Sequence, residues 1–277
     1  MRGAALTLCL AAFAILAFAG NSLIARAALA DGAIEAGAFS AIRLAAGALV
    51  LLPFLGRRPS MKDAPGAISL AVYVAGFSLA YLSLGAATGA LILFACVQAT
   101  IIAIGYARGE TLSLLGWSGI ALAMGGLITL LSPGGESVAV GAAVLMAIAG
   151  IAWGAYTVIG RSGGDPAGST ARNFLLAAPV VLPMLLLDSG LPSWHGAMLA
   201  VVAGAVTSGM GYVIWYKVTP RLSLATVASV QLATPVVAAI GGVFLLSESA
   251  SWQLIAGGGL IVGGIILTIL KPAQSAD

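Results

Sequence analysis

The chain has 277 residues, of which 61% are hydrophobic and 8% charged, with a formal net charge of +3. Soluble domains carry roughly a quarter charged residues, so a mean hydropathy of +1.10 over the whole length excludes an ordinary soluble enzyme and implies a membrane crossed many times. The small, scattered positive balance gives no footing for nucleic acid. Cys9 and Cys96 both sit in apolar stretches without a charged neighbour, so neither a disulfide framework nor an activated thiol is expected.

At the start of the chain, Arg2, an apolar run and Ala17-Phe18-Ala19 imitate a cleavable signal peptide. The stretch has a counterpart in the second half of the chain, which argues that it is kept. A spanning helix needs roughly 20 mostly apolar residues, and ten such runs follow in order, at about 4–26, 36–55, 65–86, 89–108, 112–131, 138–160, 170–188, 196–217, 224–246 and 251–270. Turn chemistry separates most of them, as at Ala30-Asp31-Gly32, Gly56-Arg57-Arg58-Pro59 and Gly163-Gly164-Asp165-Pro166. The uncharged break at Gly85–Gly89 is the weakest, and length decides it, since 65–108 is too long for one crossing.

With a cytoplasmic N-terminus, Arg2, Arg57, Arg58, Lys62, Arg108, Arg161, Arg172, Lys217, Arg221 and Lys271 all fall on the cytoplasmic side, and only Arg26 and Arg43 fall outside. That asymmetry follows the positive-inside rule and places both termini in the cytoplasm, with the inner (plasma) membrane as the expected location.

The first and second halves repeat one another. Phe18-Ala19-Gly20-Asn21-Ser22 and the residues to Arg26 match Trp153-Gly154-Ala155-Tyr156-Thr157 and the residues to Arg161 at one offset. Glu110, Gly119 and Gly125-Gly126 match Glu248, Gly257 and Gly263-Gly264 at another, and Val97-Gln98 is echoed by Val230-Gln231. The expected fold is therefore an all-α polytopic membrane protein of ten helices in two five-helix repeats, 1–133 and 134–277. Five is odd, so the second repeat enters from the opposite face. Such inverted repeats place a site near the midplane and let the halves rock around it.

In these residues the sequence resembles the drug/metabolite transporter superfamily, specifically its ten-span EamA-type exporters. The carriers are Phe18-Ala19-Gly20-Asn21-Ser22 and Trp153-Gly154-Ala155-Tyr156 on the first helix of each half, with Gly109-Glu110-Thr111 and Ser247-Glu248-Ser249 before the last. The chain is also similar to the aromatic amino acid exporter branch. The resemblance implies efflux of small metabolites from the cytoplasm, amino acids above all, by alternating access. The fourth span departs from the pattern, lacking the proline that Thr234-Pro235 supplies in the ninth.

Polar and aromatic residues inside the spans are the candidates for substrate binding. Pro235 has no N–H, so the carbonyl of Gln231 loses its helical partner. With the Gln231 amide and Thr234 on the same face this makes a polar patch in mid-membrane, with Pro235 as hinge and Gln98 as the weaker counterpart. Asn21 and Tyr156 hold equivalent places in the two halves, and Trp153, Tyr81, Tyr212 and Trp215 supply an aromatic lining. Tyr216, beside Lys217, reads as part of an interfacial belt. Arg43, about two turns inside its span, reads more simply as a snorkelling arginine than as a functional one. Glu110 and Glu248 stand at helix starts and read as caps.

No Asp or Glu lies in the middle of a span, so coupling to protons is not legible, and His195 has no second ligand for a metal. No nucleophile–base pair, phosphate loop or cofactor motif is present, so no enzyme activity and no cofactor are expected. The partners expected are a small solute and the lipid bilayer, with the chain working as a monomer. The rival readings are a carrier of drugs or nucleotide-sugar-like solutes and, more distantly, an intramembrane enzyme. The former would want a buried carboxylate or several cations at the cavity, and the latter a cluster of Asp, His and Glu.

Overall fold

The computed structural model describes residues 2–107, 113–131, 138–161, 164–221, 231 and 233–269. Among them ten helices follow one another: α1 (Arg2–Ala30), α2 (Ala36–Leu51), α3 (Ala64–Tyr81), α4 (Ala86–Ala107), α5 (Leu114–Leu131), α6 (Val140–Arg161), α7 (Pro166–Val181), α8 (Trp194–Val218), α9 (Ala233–Leu246) and α10 (Trp252–Ile269). A bilayer offers backbone groups no water, so apolar runs of this length satisfy them within helices. Seven are long and apolar enough to cross a membrane, and the other three are shorter apolar helices. The protein is an all-α, multi-pass membrane protein.

Most breaks fall where turn residues stand. Gly32 and Gly56 take positive φ values of 67° and 65°, which a Cβ would oppose. Pro53 and Pro183 each convert a helix end into a 3-10 turn, at Leu52–Phe54 after α2 and Leu182–Leu187 after α7. The turn between α3 and α4 comes a few residues earlier than the Gly85–Gly89 break, because Ser83 and Leu84 already bond back to the Ala80 carbonyl and a new helix starts at Ala86. α7 begins at Pro166 rather than 170, where Asp165 accepts the Gly168 N–H as N-cap. Glu110 and Val230 lie outside the described residues.

Helix contacts come in exchanged pairs. α3 packs on α6 and α8 on α1, α4 packs on α6 and α9 on α1, and α7 packs on α3 and α2 on α8. α5 and α10 form a close pair through small residues. A Cβ on Gly126 would stand 2.6 Å from the Gly257 carbonyl, while Gly264 in its turn lies against the Gly119 carbonyl. Without such glycines the two backbones could not approach this closely. α8 is not a uniform α-helix, since Ala203–Met210 is wound as a π-helix. There the α8 backbone meets α2 so closely that Gly204 touches the Arg43 carbonyl.

Candidate functional site

α1, α2, α3, α6 and α8 converge on a buried centre made of aromatic rings and hydroxyls. Trp153 of α6 lies between Tyr212 and Tyr73, with ring centroids 4.6 and 5.0 Å away, and Phe18 of α1 meets its edge at 5.7 Å. Phe18 also contacts Trp215 at 5.5 Å, and Tyr156 reaches Trp153 at 5.5 Å and Tyr216 at 5.8 Å. Edge-on and tilted rings of this kind fix one another's orientation.

A polar chain runs through the rings. Thr207 donates to Oδ1 of Asn21 (3.2 Å), and Nδ2 of Asn21 donates to the Tyr73 hydroxyl (3.2 Å). The Tyr73 hydroxyl also accepts from Nη2 of Arg43 (3.1 Å), which reaches the Tyr212 hydroxyl at the same distance, while Nε of Arg43 donates to Ser208 (3.0 Å). Thr207 and Ser208 both belong to the π-wound stretch of α8, whose widened turn presents two consecutive hydroxyls to one network. π-wound turns inside α-helices recur at functional sites. The space enclosed by Phe18, Asn21, Ser22, Tyr73, Trp153 and Tyr212 amounts to about 10 Å³, room for about one water. The centre is closed around itself.

Charged clusters lie at both ends of the bundle. At one, Glu248 accepts from Arg26 (3.3 Å) and from the backbone N–H of Ala86 (2.8 and 2.9 Å), and Arg26 also donates to the Tyr81 carbonyl. Ser247 holds a left-handed φ of 54° and the Glu248 N–H closes onto the Gly242 carbonyl, which turns the carboxylate toward α4. At the other, Asp63 accepts from Arg57 (2.8 Å) and Arg172 (3.0 Å), and Arg172 also reaches Asp165 (3.5 Å) and the Leu55 carbonyl (3.0 Å). The α1–α2 and α7–α8 loops are tied separately. Asp188 caps α2 through Gly37 and Ala38, and Glu35 accepts from Ser189 and Gly190.

The residues singled out from sequence fall into two groups. Asn21, Trp153, Tyr156, Tyr212 and Trp215 meet at the centre, all buried. Tyr81 joins them through Phe77, 4.6 Å away, and donates its hydroxyl to the Ala86 carbonyl. Gln98, Gln231 and Thr234 form the second group, buried but outside this network, with Gln98 Nε2, both Gln231 amide atoms and Thr234 Oγ1 unpartnered among the described residues. Ala90 packs with Ala238 and Ala86 with Gly242, so α4 and α9 run antiparallel. Continuing that register by a turn or two brings Gln98 level with Gln231. Pro235 borders an apolar groove of about 400 Å³ between α9 and α10.

Three readings change. Tyr216 is no interfacial belt residue: it is buried, packed on Gly160, and donates to the Tyr156 carbonyl. Glu248 caps α4 rather than its own helix. Arg43 does not snorkel. It has no exposed surface, and its Cζ stands 4.9 Å from the Phe77 ring centroid and 5.2 Å from that of Tyr73. Tyr73, Thr207 and Ser208 went unrecognised as site residues, although hydroxyls inside apolar runs beside Gly204, Gly209 and Gly211 were a usable signal.

Residues 140–270 match the model of the EamA-like transporter family. A protein of Pseudomonas aeruginosa strain PAO1, the uncharacterised PA1977, is 47% identical over 273 residues, covering 96% of this chain and 95% of that one. An uncharacterised transporter of Archaeoglobus fulgidus is 25% identical over 230 residues, 78% of this chain and 82% of its own. The chain belongs to the EamA-like transporter family. The threonine/homoserine exporter RhtA of Escherichia coli K12 is 27% identical over 133 residues, 46% of this chain and 45% of that protein. A crystal structure that is 20% identical superposes with a TM-score of 0.70 over 95% of this chain and 96% of its own, and so shares the fold. The protein is thus a multi-pass membrane transporter of this family, and the family points away from catalysis. None of these relatives singles out the aromatic amino acid branch.

Proposed function

We propose that the protein exports small zwitterionic or neutral metabolites, amino acids foremost, from the cytoplasm across the inner membrane by alternating access. The observation that carries this reading is the closed centre of rings and hydroxyls between two charged clusters at opposite ends of the bundle. Aromatic walls suit an apolar side chain, and Asn21, Tyr73, Thr207 and Ser208 offer both donors and acceptors to a polar head group. A solute of amino-acid size does not fit about 10 Å³, so the centre must widen toward one side at a time. The Arg26–Glu248 and Asp63–Arg172 clusters are placed to close the two ends.

The exchanged contacts support two related halves. Gly126 on Gly257 becomes Gly264 on Gly119 when each residue is replaced by its repeat partner, as expected for inverted repeats rocking about a common axis. With both termini cytoplasmic, the Glu248 cluster faces outside and the Asp63 cluster inside. Gln98, Gln231 and Thr234 then form a polar step beside the rings, at the depth of Trp153 on the α4–α9 side, which a solute meets as the centre opens, with Pro235 as the hinge beside it. The relationship to a threonine/homoserine exporter is in keeping with an amino acid as cargo.

Purified protein in liposomes, tested with labelled amino acids and nucleosides with and without a pH gradient, examines both cargo and coupling. Movement of neutral amino acids above protein-free vesicles is the expected result. Movement of nucleosides alone would overturn the assignment of cargo.

A further inference from the structure

Arg43 and Arg172 lie at similar depth, about two turns into α2 and α7. Their surroundings differ completely. Arg172 is paired with Asp63 and Asp165. Among the described residues no carboxylate lies within ion-pairing distance of Arg43, which is wholly buried. A guanidinium keeps its proton in any protein setting, so a full positive charge sits within the bundle with no counter-charge among the described residues. Its neighbours are hydroxyls and ring faces: Ser208 on Nε, Tyr73 and Tyr212 on Nη2, and Phe77 beside the guanidinium. Nη1 has no partner among the described residues.

An unpaired buried charge is strongly unfavourable, and an arrangement that holds one so rigidly is poised for an anion. The guanidinium fork matches a carboxylate, which takes two parallel N–H bonds. Tyr73, Phe77 and Tyr212, which surround the guanidinium, are also walls of the central cavity. Of the remaining walls, Phe18, Trp153 and Phe94 are apolar faces suited to what lies beyond a carboxylate, while Asn21 and Ser22 add polar groups.

We propose that Arg43 is the anchor for the carboxylate of the transported solute, taken on Nη1, so that the cargo class is restricted to molecules with a free carboxylate. This rests on the exporter reading above and narrows it: zwitterions qualify through their acid group, and neutral solutes without one do not. Binding of the solute supplies the counter-charge that the protein lacks, so the loaded centre is the electrostatically satisfied one.

Equilibrium binding of labelled L-threonine and L-phenylalanine to the purified protein, with competition by their methyl esters and by 3-phenylpropionate, tests it. The esters should compete at least about 30-fold more weakly than the acids, as expected when one partner of a buried charged pair is removed. 3-Phenylpropionate, which has no amino group, should compete. Arg43→Gln should bring the acid down to the level of the ester and leave the ester unchanged, whereas a variant that merely damages the fold would weaken both. Arg43→Lys, which keeps the charge but not the fork, should fall between. Equal competition by acid and ester, or equal loss of both in Arg43→Gln, would overturn the inference and leave the exporter reading standing. If wild type moves only solutes without a carboxylate, the inference fails while transport is retained. If it binds and moves none of the panel, both fail.

Discussion

Glu248→Ala removes a single carboxylate that ties α1 and α4 to the α9–α10 turn at one end of the bundle. In wild type the side chain caps α4 through the Ala86 N–H and pairs with Arg26 across the gap between α1 and the α9–α10 turn. Loss of a helix cap costs about 0.5–2 kcal/mol. The Arg26 pair is partly exposed, at 25% and 15% of the two side chains, so screening limits it to about 0–1 kcal/mol. Together the closed arrangement should lose about 0.5–3 kcal/mol, which multiplies the open population roughly 2- to 150-fold. Glu248→Gln keeps an acceptor for Ala86 and loses only the ion pair, so its effect should be no more than about 5-fold. The assay is labelling by a membrane-impermeant thiol reagent applied from outside to intact cells. The reporter is Ser22→Cys, whose native side chain is buried at the cavity wall, in a Cys9→Ala, Cys96→Ala background. Labelling of Glu248→Ala at the wild-type rate, or of Glu248→Gln as fast as Glu248→Ala, would refute the reasoning.

Other predictions concern the opposite end, the close helix crossing, the loops and the polar residues. Asp63→Asn leaves Arg172, only 6% exposed, with the more exposed Asp165 as its remaining carboxylate partner among the described residues; a loss of about 1–3 kcal/mol is expected, read as a lower midpoint in thermal unfolding, while Arg57→Gln, on the 49% exposed partner, should cost under about 1 kcal/mol. Gly204→Ala would force its methyl into the α2 backbone at Arg43 and should destabilise by about 1–3 kcal/mol in the same assay, whereas Gly125→Ala, with open space around it, should be neutral. The Ser189 hydroxyl, with the Ser189 and Gly190 N–H groups, holds the Glu35 carboxyl below its usual 4.5. A lowered folded pKa means that this tie is intact above the usual carboxylate range and is lost as pH falls through the folded value. Hydrogen exchange at Ser189 and Gly190, corrected for the intrinsic pH dependence, should therefore accelerate only below about pH 4.5; protection unchanged in that range would remove Glu35 from the loop contact. Gln231→Ala should slow transport while leaving folding unharmed, since neither amide atom has a partner to lose among the described residues, and wild-type transport by that variant would take Gln231 out of the path.

Much of the helix count was legible because hydrocarbon thickness sets a minimum length that composition reveals directly. The close α5–α10 pair was foreshadowed by Gly119, Gly126, Gly257 and Gly264 at a fixed offset, since only glycine permits that approach. Asn21, Trp153 and Tyr156 can be singled out because a polar or aromatic residue at a repeated place in a span is visible without coordinates, and Tyr212 because an aromatic inside an apolar run is visible too; that they meet at one buried centre is not. Arg43 was not legible as a site residue, because sequence gives the depth of a cation in a span but not the rotation of the helix, and an arginine near a helix end reaches water or turns inward according to its neighbours. Glu248 was misassigned to its own helix because the turn that redirects it depends on a left-handed serine, Ser247, where glycine would be the expected signal. The π-wound stretch of α8 has no sequence pattern of its own beyond Gly204, Gly209 and Gly211.

Solute exchange through the centre is tested most directly in liposomes holding only the purified protein, preloaded with unlabelled threonine and diluted into a trace of labelled threonine. Wild type should accumulate label transiently above equilibrium, and Asn21→Ala, which breaks the Thr207–Asn21–Tyr73 chain at the cavity wall, should not. Accumulation by Asn21→Ala equal to wild type, or none by wild type above protein-free liposomes, would contradict the account.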